Sequence, residues 1–177
     1  MMRIGIVLIA VVVLVLIVPR LLSRGTMPAV GSSAPVFTLP SQEGTPVSLA
    51  DYHGKWVVLY FYPKDLSTGC TREAQDFQVD QPKYAQRNAA VLGVSLDSIA
   101  SHKQFCTKEG LNFKLLADSD NQVATAYGSL MNLGVAKFAS RHTFVIDPQG
   151  KIAKVYSSVN PFKHSEEVLA GLDQLQK

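Results

Sequence analysis

Residues 56–77 read "WVVLYFYPKDLSTGCTREAQDF". The first seven, 56–62, form an unbroken apolar run rich in β-branched and aromatic side chains, the pattern of a strand covered on both faces. Small and turn-forming residues follow. A helix is then expected from about Ser67 to Gln81, where Pro82 ends or kinks it. A buried strand feeding a helix through a short loop is half of a βαβ unit, and it places the chain in the α/β class. Cys70, one of two cysteines in the chain, stands at the start of that helix.

The same alternation continues on both sides. "FTLPSQEGTPVSL" (37–49) reads as an edge hairpin. "AAVLGVS" (89–95) is a second buried strand, and "SIASHKQFCTKEG" (98–110) a short helix closed by Gly110. "FKLLAD" (113–118) predicts a short strand and "NQVATAYG" (121–128) a short helix. "RHTFVID" (141–147) and "KIAKVYS" (151–157) flank the turn Asp147-Pro148-Gln149-Gly150 and read as a hairpin. In "SEEVLAGLDQLQK" (165–177), Val168, Leu169, Leu172 and Leu175 share one face of a terminal helix. These elements predict a central sheet with helices on both faces.

The N-terminus does not fit that domain. Ile4 to Val18 is an apolar run flanked by Arg3 and Arg20. It is shorter than the roughly 18 residues of a clean membrane span, but Leu21 and Leu22 extend it if Arg20 snorkels. Pro19-Arg20-Leu21-Leu22 is a poor signal-peptidase site, so a retained membrane anchor is favoured over a cleaved signal or a buried helix. The division expected is an anchor or signal segment (1–24), a linker "GTMPAVGSSAP" (25–35) and a catalytic domain (36–177). The placement expected is membrane-anchored with an extracytoplasmic (periplasmic) domain. Residues 1–24 hold three arginines and no acid. Removing these from 17 basic residues leaves 14, against 14 acidic ones, so the rest of the chain is neutral. That excludes the basic surface nucleic acid binding needs.

A helix start offers unpaired N–H groups and the positive end of the helix dipole. Both favour the thiolate of Cys70 and make it reactive. Ser67 or Thr68 can cap the helix, and Gly69 allows close approach. Position alone leaves open a second reading, that Cys70 is a small buried hydrophobe.

The segment "FYPKDLSTGCTREAQDF" resembles the active-site segment of the peroxiredoxins, most closely the Q-type or bacterioferritin-comigratory class. The family pattern Pro-x-x-x-Thr/Ser-x-x-Cys is matched by Pro63, Ser67 and Cys70. A glutamate three residues on is Glu73. The family's distant arginine is matched by Arg141 in "RHTFVIDPQG". "FKLLAD" and "VNPFKHSEEVL" also resemble this class. The resemblance covers about residues 30–177 and implies a thioredoxin-like fold in its peroxiredoxin variant. It also implies reduction of hydrogen peroxide and organic hydroperoxides, no cofactor and no metal.

The resemblance assigns the roles. Cys70 is peroxidatic, and Arg141 holds the thiolate and a peroxide oxygen with its several N–H donors. The Ser67 hydroxyl contacts the peroxide, Pro63 shields the sulfur and Glu73 orients Arg141. Backbone N–H groups near Cys70 steady the leaving oxygen. Two positions depart from the family: Thr68 stands where proline is usual, and Gln75 where many members carry a resolving cysteine. Cys106, on the next helix, is the other candidate, as in a subgroup of the class. The implied cycle closes an intramolecular Cys70–Cys106 disulfide in a monomer, reduced by thioredoxin or a similar dithiol. His53, His102, His142 and His164 make no metal spacing and read as structural or surface residues. Two competing readings stay open: a membrane-tethered thiol–disulfide oxidoreductase, whose Cys-x-x-Cys would here begin with Ser67, and a domain whose cysteine bridge is structural.

Overall fold

A computed structural model describes residues 25–177. Five strands make the central sheet. β3 (Trp56–Phe61), β4 (Ala89–Ser95) and β5 (Lys114–Ala117) run parallel, and β8 (Thr143–Ile146) pairs antiparallel with β3 and with β9 (Ile152–Tyr156). The order is β5-β4-β3-β8-β9, so the apolar run 56–61 lies in the middle. Two small hairpins stand apart, β1 (Thr38–Pro40) with β2 (Pro46–Ser48), and β6 (Leu130–Asn132) with β7 (Lys137–Ala139). Helices are α1 (Thr68–Val79), α2 (Gln81–Gln86), α3 (Ile99–Glu109), α4 (Gln122–Ala126) and α5 (His164–Leu175).

Side chains on a strand alternate between faces, so β3 feeds two cores. Val57, Leu59 and Phe61 join Phe144, Ile146, Tyr127 and Val123 of α4 on one face. Val58, Tyr60 and Tyr62 join Phe77 of α1, Tyr84 of α2, Phe105 of α3 and Leu172 of α5 on the other. The central mixed sheet with helices on both faces is as expected. The helical cover is uneven: α1, α2, α3 and α5 share the face that holds Cys70.

Four local differences have clear causes. Pro82 does not simply stop the first helix. It sits in the first turn of α2, where its missing N–H costs nothing. Ser67 precedes α1 but does not cap it, because its Oγ donates to Lys64 O at 3.0 Å. The stretch 25–35, read as a linker, is bonded to the sheet edge. Gly31 N donates to Ile152 O (2.7 Å), Ala34 N to Gly150 O (2.9 Å), and Ile152 N to Ser32 O (2.9 Å). Its small residues allow this close cover of the edge strand β9, which would otherwise expose unpaired backbone groups. The hairpin β6–β7 occupies a region to which the sequence reading assigns no element.

The expected membrane segment, 4–22, lies outside the described residues. Among the described residues, no helix is long and apolar enough to cross a membrane.

Candidate active site

The chain leaves β3 at Phe61 and turns through 63–67 into α1. Leu66 takes a left-handed conformation, φ 60°, which is unfavourable for a side chain with a Cβ. Bonds made by the two residues before it hold the loop. Asp65 N donates to Asp97 Oδ2 (2.9 Å), Ser95 Oγ donates to the same oxygen (2.9 Å), and Lys64 pairs with Asp97 Oδ1. The buried Asp65 carboxylate accepts from Tyr62 Oη (2.7 Å) and Ser101 Oγ (2.7 Å) and bonds His102 Nδ1 (2.9 Å).

This loop delivers Cys70 as the third residue of α1, 1% exposed. The N–H groups of a first helical turn have no intrahelical acceptor, so this turn presents donors beside the sulfur. Arg141 comes from the residue pair preceding β8. Its Nη2 donates to Cys70 Sγ at 3.2 Å, and its Nη1 is paired with Glu73 Oε2. Glu73 lies one turn after Cys70 and is almost wholly buried. Burial pushes the Glu73 carboxyl up to about 7, against the opposing pull of the Arg141 charge and hydrogen bond. Burial also opposes the Arg141 charge, but the negative groups beside it, Glu73 first, hold its pKa above the ordinary value. Arg141 therefore stays cationic at any working pH. A Cβ on Gly69 would stand 3.5 Å from Arg141 Nη2 and 3.6 Å from Pro161 Cγ, so this glycine borders the guanidinium.

Arg141 thus contacts both Cys70 and Glu73 directly. Ser67 and Pro63 lie in the adjoining loop. Pro63 lines a groove of about 420 Å³ with Lys64, Leu96, Asp97, Ala136, Lys137 and Phe138. Cys106 lies on α3, 8% exposed, beside a surface cleft shared with Gln42, Glu43, Lys103, Thr107 and Leu111. Burial pushes its thiol up to about 11. Both cysteines are free thiols.

The histidines divide by environment. His53 is exposed. His142 bonds Ser129 Oγ (3.0 Å), and His164 bonds Thr143 Oγ1 (2.9 Å). His102 belongs to the Asp65 cluster that braces the Cys70 loop. Sequence reasoning missed that cluster because Asp65 and His102 are 37 residues apart. The one available signal was an acid in the short turn between a buried strand and a helix. Among the described residues, no group of three or more His, Cys, Asp or Glu side chains is arranged to hold a metal ion.

Comparison with known proteins agrees with this geometry. The AhpC/TSA family model matches residues 30–155. The chain is similar to the chloroplastic peroxiredoxin Q of Sedum lineare, at 42% identity over 147 residues, 82% of this chain and 78% of that protein. It is similar to peroxiredoxin Bcp of Bacillus subtilis, at 38% over 152 residues, 84% of this chain and 97% of the relative. A crystal structure of a PrxQ mutant from Xylella fastidiosa superposes with a TM-score of 0.81 at 34% identity, covering 86% of this chain and 100% of that one.

These matches correct one expectation. The membrane-anchored, extracytoplasmic placement does not stand. The family match begins at residue 30, beyond the apolar run. The Bcp relative is covered over 97% of its length, and no helix among the described residues is long and apolar enough to cross a membrane. The thiol–disulfide oxidoreductase reading finds no support in them either. Matched over most of its length by peroxiredoxins of the Bcp and Q type, and holding a cysteine under an arginine where those motifs require it, the chain belongs to the AhpC/TSA family as a Bcp/Q-type peroxiredoxin, a thiol peroxidase.

Proposed function

We propose that Cys70 is the peroxidatic residue and that it reduces hydrogen peroxide and organic hydroperoxides through a sulfenic acid. The observation that carries this reading is the 3.2 Å contact between Arg141 Nη2 and Cys70 Sγ at the start of α1. The guanidinium donates to the sulfur and offers a second N–H direction to an incoming oxygen. The thiolate attacks one peroxide oxygen, the O–O bond breaks, and the other oxygen leaves as water or an alcohol after taking a proton. Helix-start N–H groups and Arg141 steady the charge on that leaving oxygen. Glu73 positions Arg141, the Ser67 hydroxyl bonds the peroxide, and Pro63 keeps water from the sulfur.

Cys106 is the proposed resolving residue. Its sulfur attacks the Cys70 sulfenic sulfur, closing a disulfide within one chain and releasing water. A dithiol of the thioredoxin type then reduces the bridge, and the protein works as a monomer. The catalytic domain is taken as 36–177, with 25–35 lying on its edge and 1–24 outside it.

Peroxide consumption by Cys70→Ser tests the first step, and the expected result is complete loss with an unchanged circular dichroism spectrum. Wild-type rates in Cys70→Ser would sink the assignment. Non-reducing peptide mapping after one equivalent of peroxide tests the second step. A Cys70–Cys106 linked peptide from monomeric protein supports it, and a Cys70–Cys70 linked dimer overturns it.

A further inference from the structure

The active-site loop and the helix that carries Cys106 are joined by one buried carboxylate. Asp65 precedes Cys70 by five residues. Its oxygens take Ser101 Oγ (2.7 Å) and His102 Nδ1 (2.9 Å) from the first turn of α3, together with Tyr62 Oη (2.7 Å) from the end of β3. Cys106 lies one helical turn beyond His102.

His102 is fully buried, and its other ring nitrogen, Nε2, has no partner. Burying a half-satisfied imidazole costs more than burying an apolar side chain of similar size. Packing alone therefore does not call for histidine here; the contact with Asp65 does. The other end of α3 is tied to α1 by Gln75 Nε2 donating to Glu109 Oε2 (2.7 Å) and Asn112 N donating to Gln78 Oε1 (2.6 Å). Both of those bonds are exposed, and water competes for them, so the buried attachment is the stronger one.

A disulfide needs Cα atoms within roughly 7 Å, and the two cysteines stand as free, buried thiols on separate helices. We propose that Asp65, Ser101 and His102 form a latch that keeps the Cys106 helix docked, and that release of this latch sets the rate at which the Cys70 sulfenic acid is resolved. The proposal rests on the reading of Cys106 as the resolving residue. In the step it controls, the Cys106 sulfur bonds the Cys70 sulfur, the S–O bond breaks, and the oxygen leaves as water with the Cys106 proton. Because Asp65 belongs to the loop that seats Cys70, loosening of that loop on oxidation reaches α3 through the Asp65 carboxylate and through Tyr62 Oη, which also stands 3.3 Å from His102 Nδ1. Ser101 and His102 act as positioning residues and do not touch the peroxide.

The test is single-turnover oxidation of the full chain, following both the Cys70–Cys106 disulfide and sulfinic acid at Cys70 by mass spectrometry. Ser101→Ala and His102→Leu are expected to form the disulfide faster, roughly tenfold, the worth of one or two buried hydrogen bonds. They should also accumulate less sulfinic acid in excess peroxide. His102→Asn keeps an N–H donor for Asp65 and should return both readouts toward wild type, which a change in packing alone would not. The initial reaction with peroxide is followed separately in all three, because the same cluster braces the Cys70 loop, and the disulfide rate is read from the sulfenic acid onward. A wild-type disulfide whose rate is equalled or undercut by Ser101→Ala and His102→Leu overturns the latch alone. A wild-type protein that forms no Cys70–Cys106 disulfide overturns the resolving role and the latch with it.

Discussion

Arg141 Nη2 stands 3.2 Å from the Cys70 sulfur although 71 residues separate them. The sheet brings them together. β3 and β8 are antiparallel neighbours with Tyr60 opposite Thr143, so the loop leaving β3 and the residues entering β8 share one rim. Arg141→Ala should slow the reaction of Cys70 with peroxide by about a hundredfold or more, the usual loss for one fixed donor at a developing charge. Arg141→Lys should recover little of it, because an ammonium cannot engage Glu73 and the sulfur in one plane. Stopped-flow peroxide kinetics check both.

Glu73 makes stability fall with rising pH. Its carboxyl titrates at about 7 in the folded protein, against an ordinary value of 4.5, because it is buried. Between those values the folded state holds a proton that the unfolded chain has released. The contribution is complete below about 4.5 and is lost as pH rises through 7. Relative to wild type, Glu73→Gln should gain up to about 3 kcal/mol between pH 5 and pH 8. Urea midpoints at the two pH values give the difference directly, and the fixed cost of losing the Arg141 partner cancels.

His164 works in the opposite sense. Burial, helped by the nearby Arg141 charge, lowers its pKa from 6.5 to about 3, so the folded state keeps it neutral while the unfolded chain takes up a proton. Stability is intact above pH 6.5 and falls as pH drops toward 3. His164→Gln keeps a group to bond Thr143 and cannot be protonated. It should resist acid better than wild type, by about 2 kcal/mol between pH 7 and pH 5. Thermal or urea unfolding across that range is the measurement.

Gly93 leaves room for Tyr60. It lies opposite Tyr60 on one side and Leu115 on the other. A Cβ there would meet Leu115 Cδ2 at 2.6 Å and the Tyr60 hydroxyl end at 2.8 Å. Gly93→Ala should destabilise the fold by about 1–3 kcal/mol through overpacking, read as a lower urea midpoint.

The sheet was legible in the sequence because 56–62 and 89–94 are unbroken runs without a charged or amide side chain, as strands covered on both faces must be. The site was legible because its chemistry sits in a short local pattern around Cys70, with Arg141 announced by a second pattern. The hairpin 130–139 was not. Its strands are three residues long, and Met131, Leu133 and Val135 are exposed, so no in-and-out alternation marks it. The bond between Asp65 and His102 was invisible for another reason: it exists only after α3 packs beside the loop, and neither residue's neighbours hint at the other. Likewise 25–35 looked like a free connector, since small uncharged residues suit both a linker and a close-fitting edge cover.

The register of β8 on β3 has a consequence for how such sequences can drift. Side chains alternate along a strand, so sliding β8 by one residue would turn Arg141 away from the sulfur and expose the opposite set of side chains to each core. Adding residues in the turns that link α1, α2, β4 and the later elements changes neither strand's phase. Insertions or deletions within 56–61 or 143–146 therefore disrupt the site whatever the chemistry of the residues gained or lost, whereas longer turns outside the 62–70 loop leave both strands in phase.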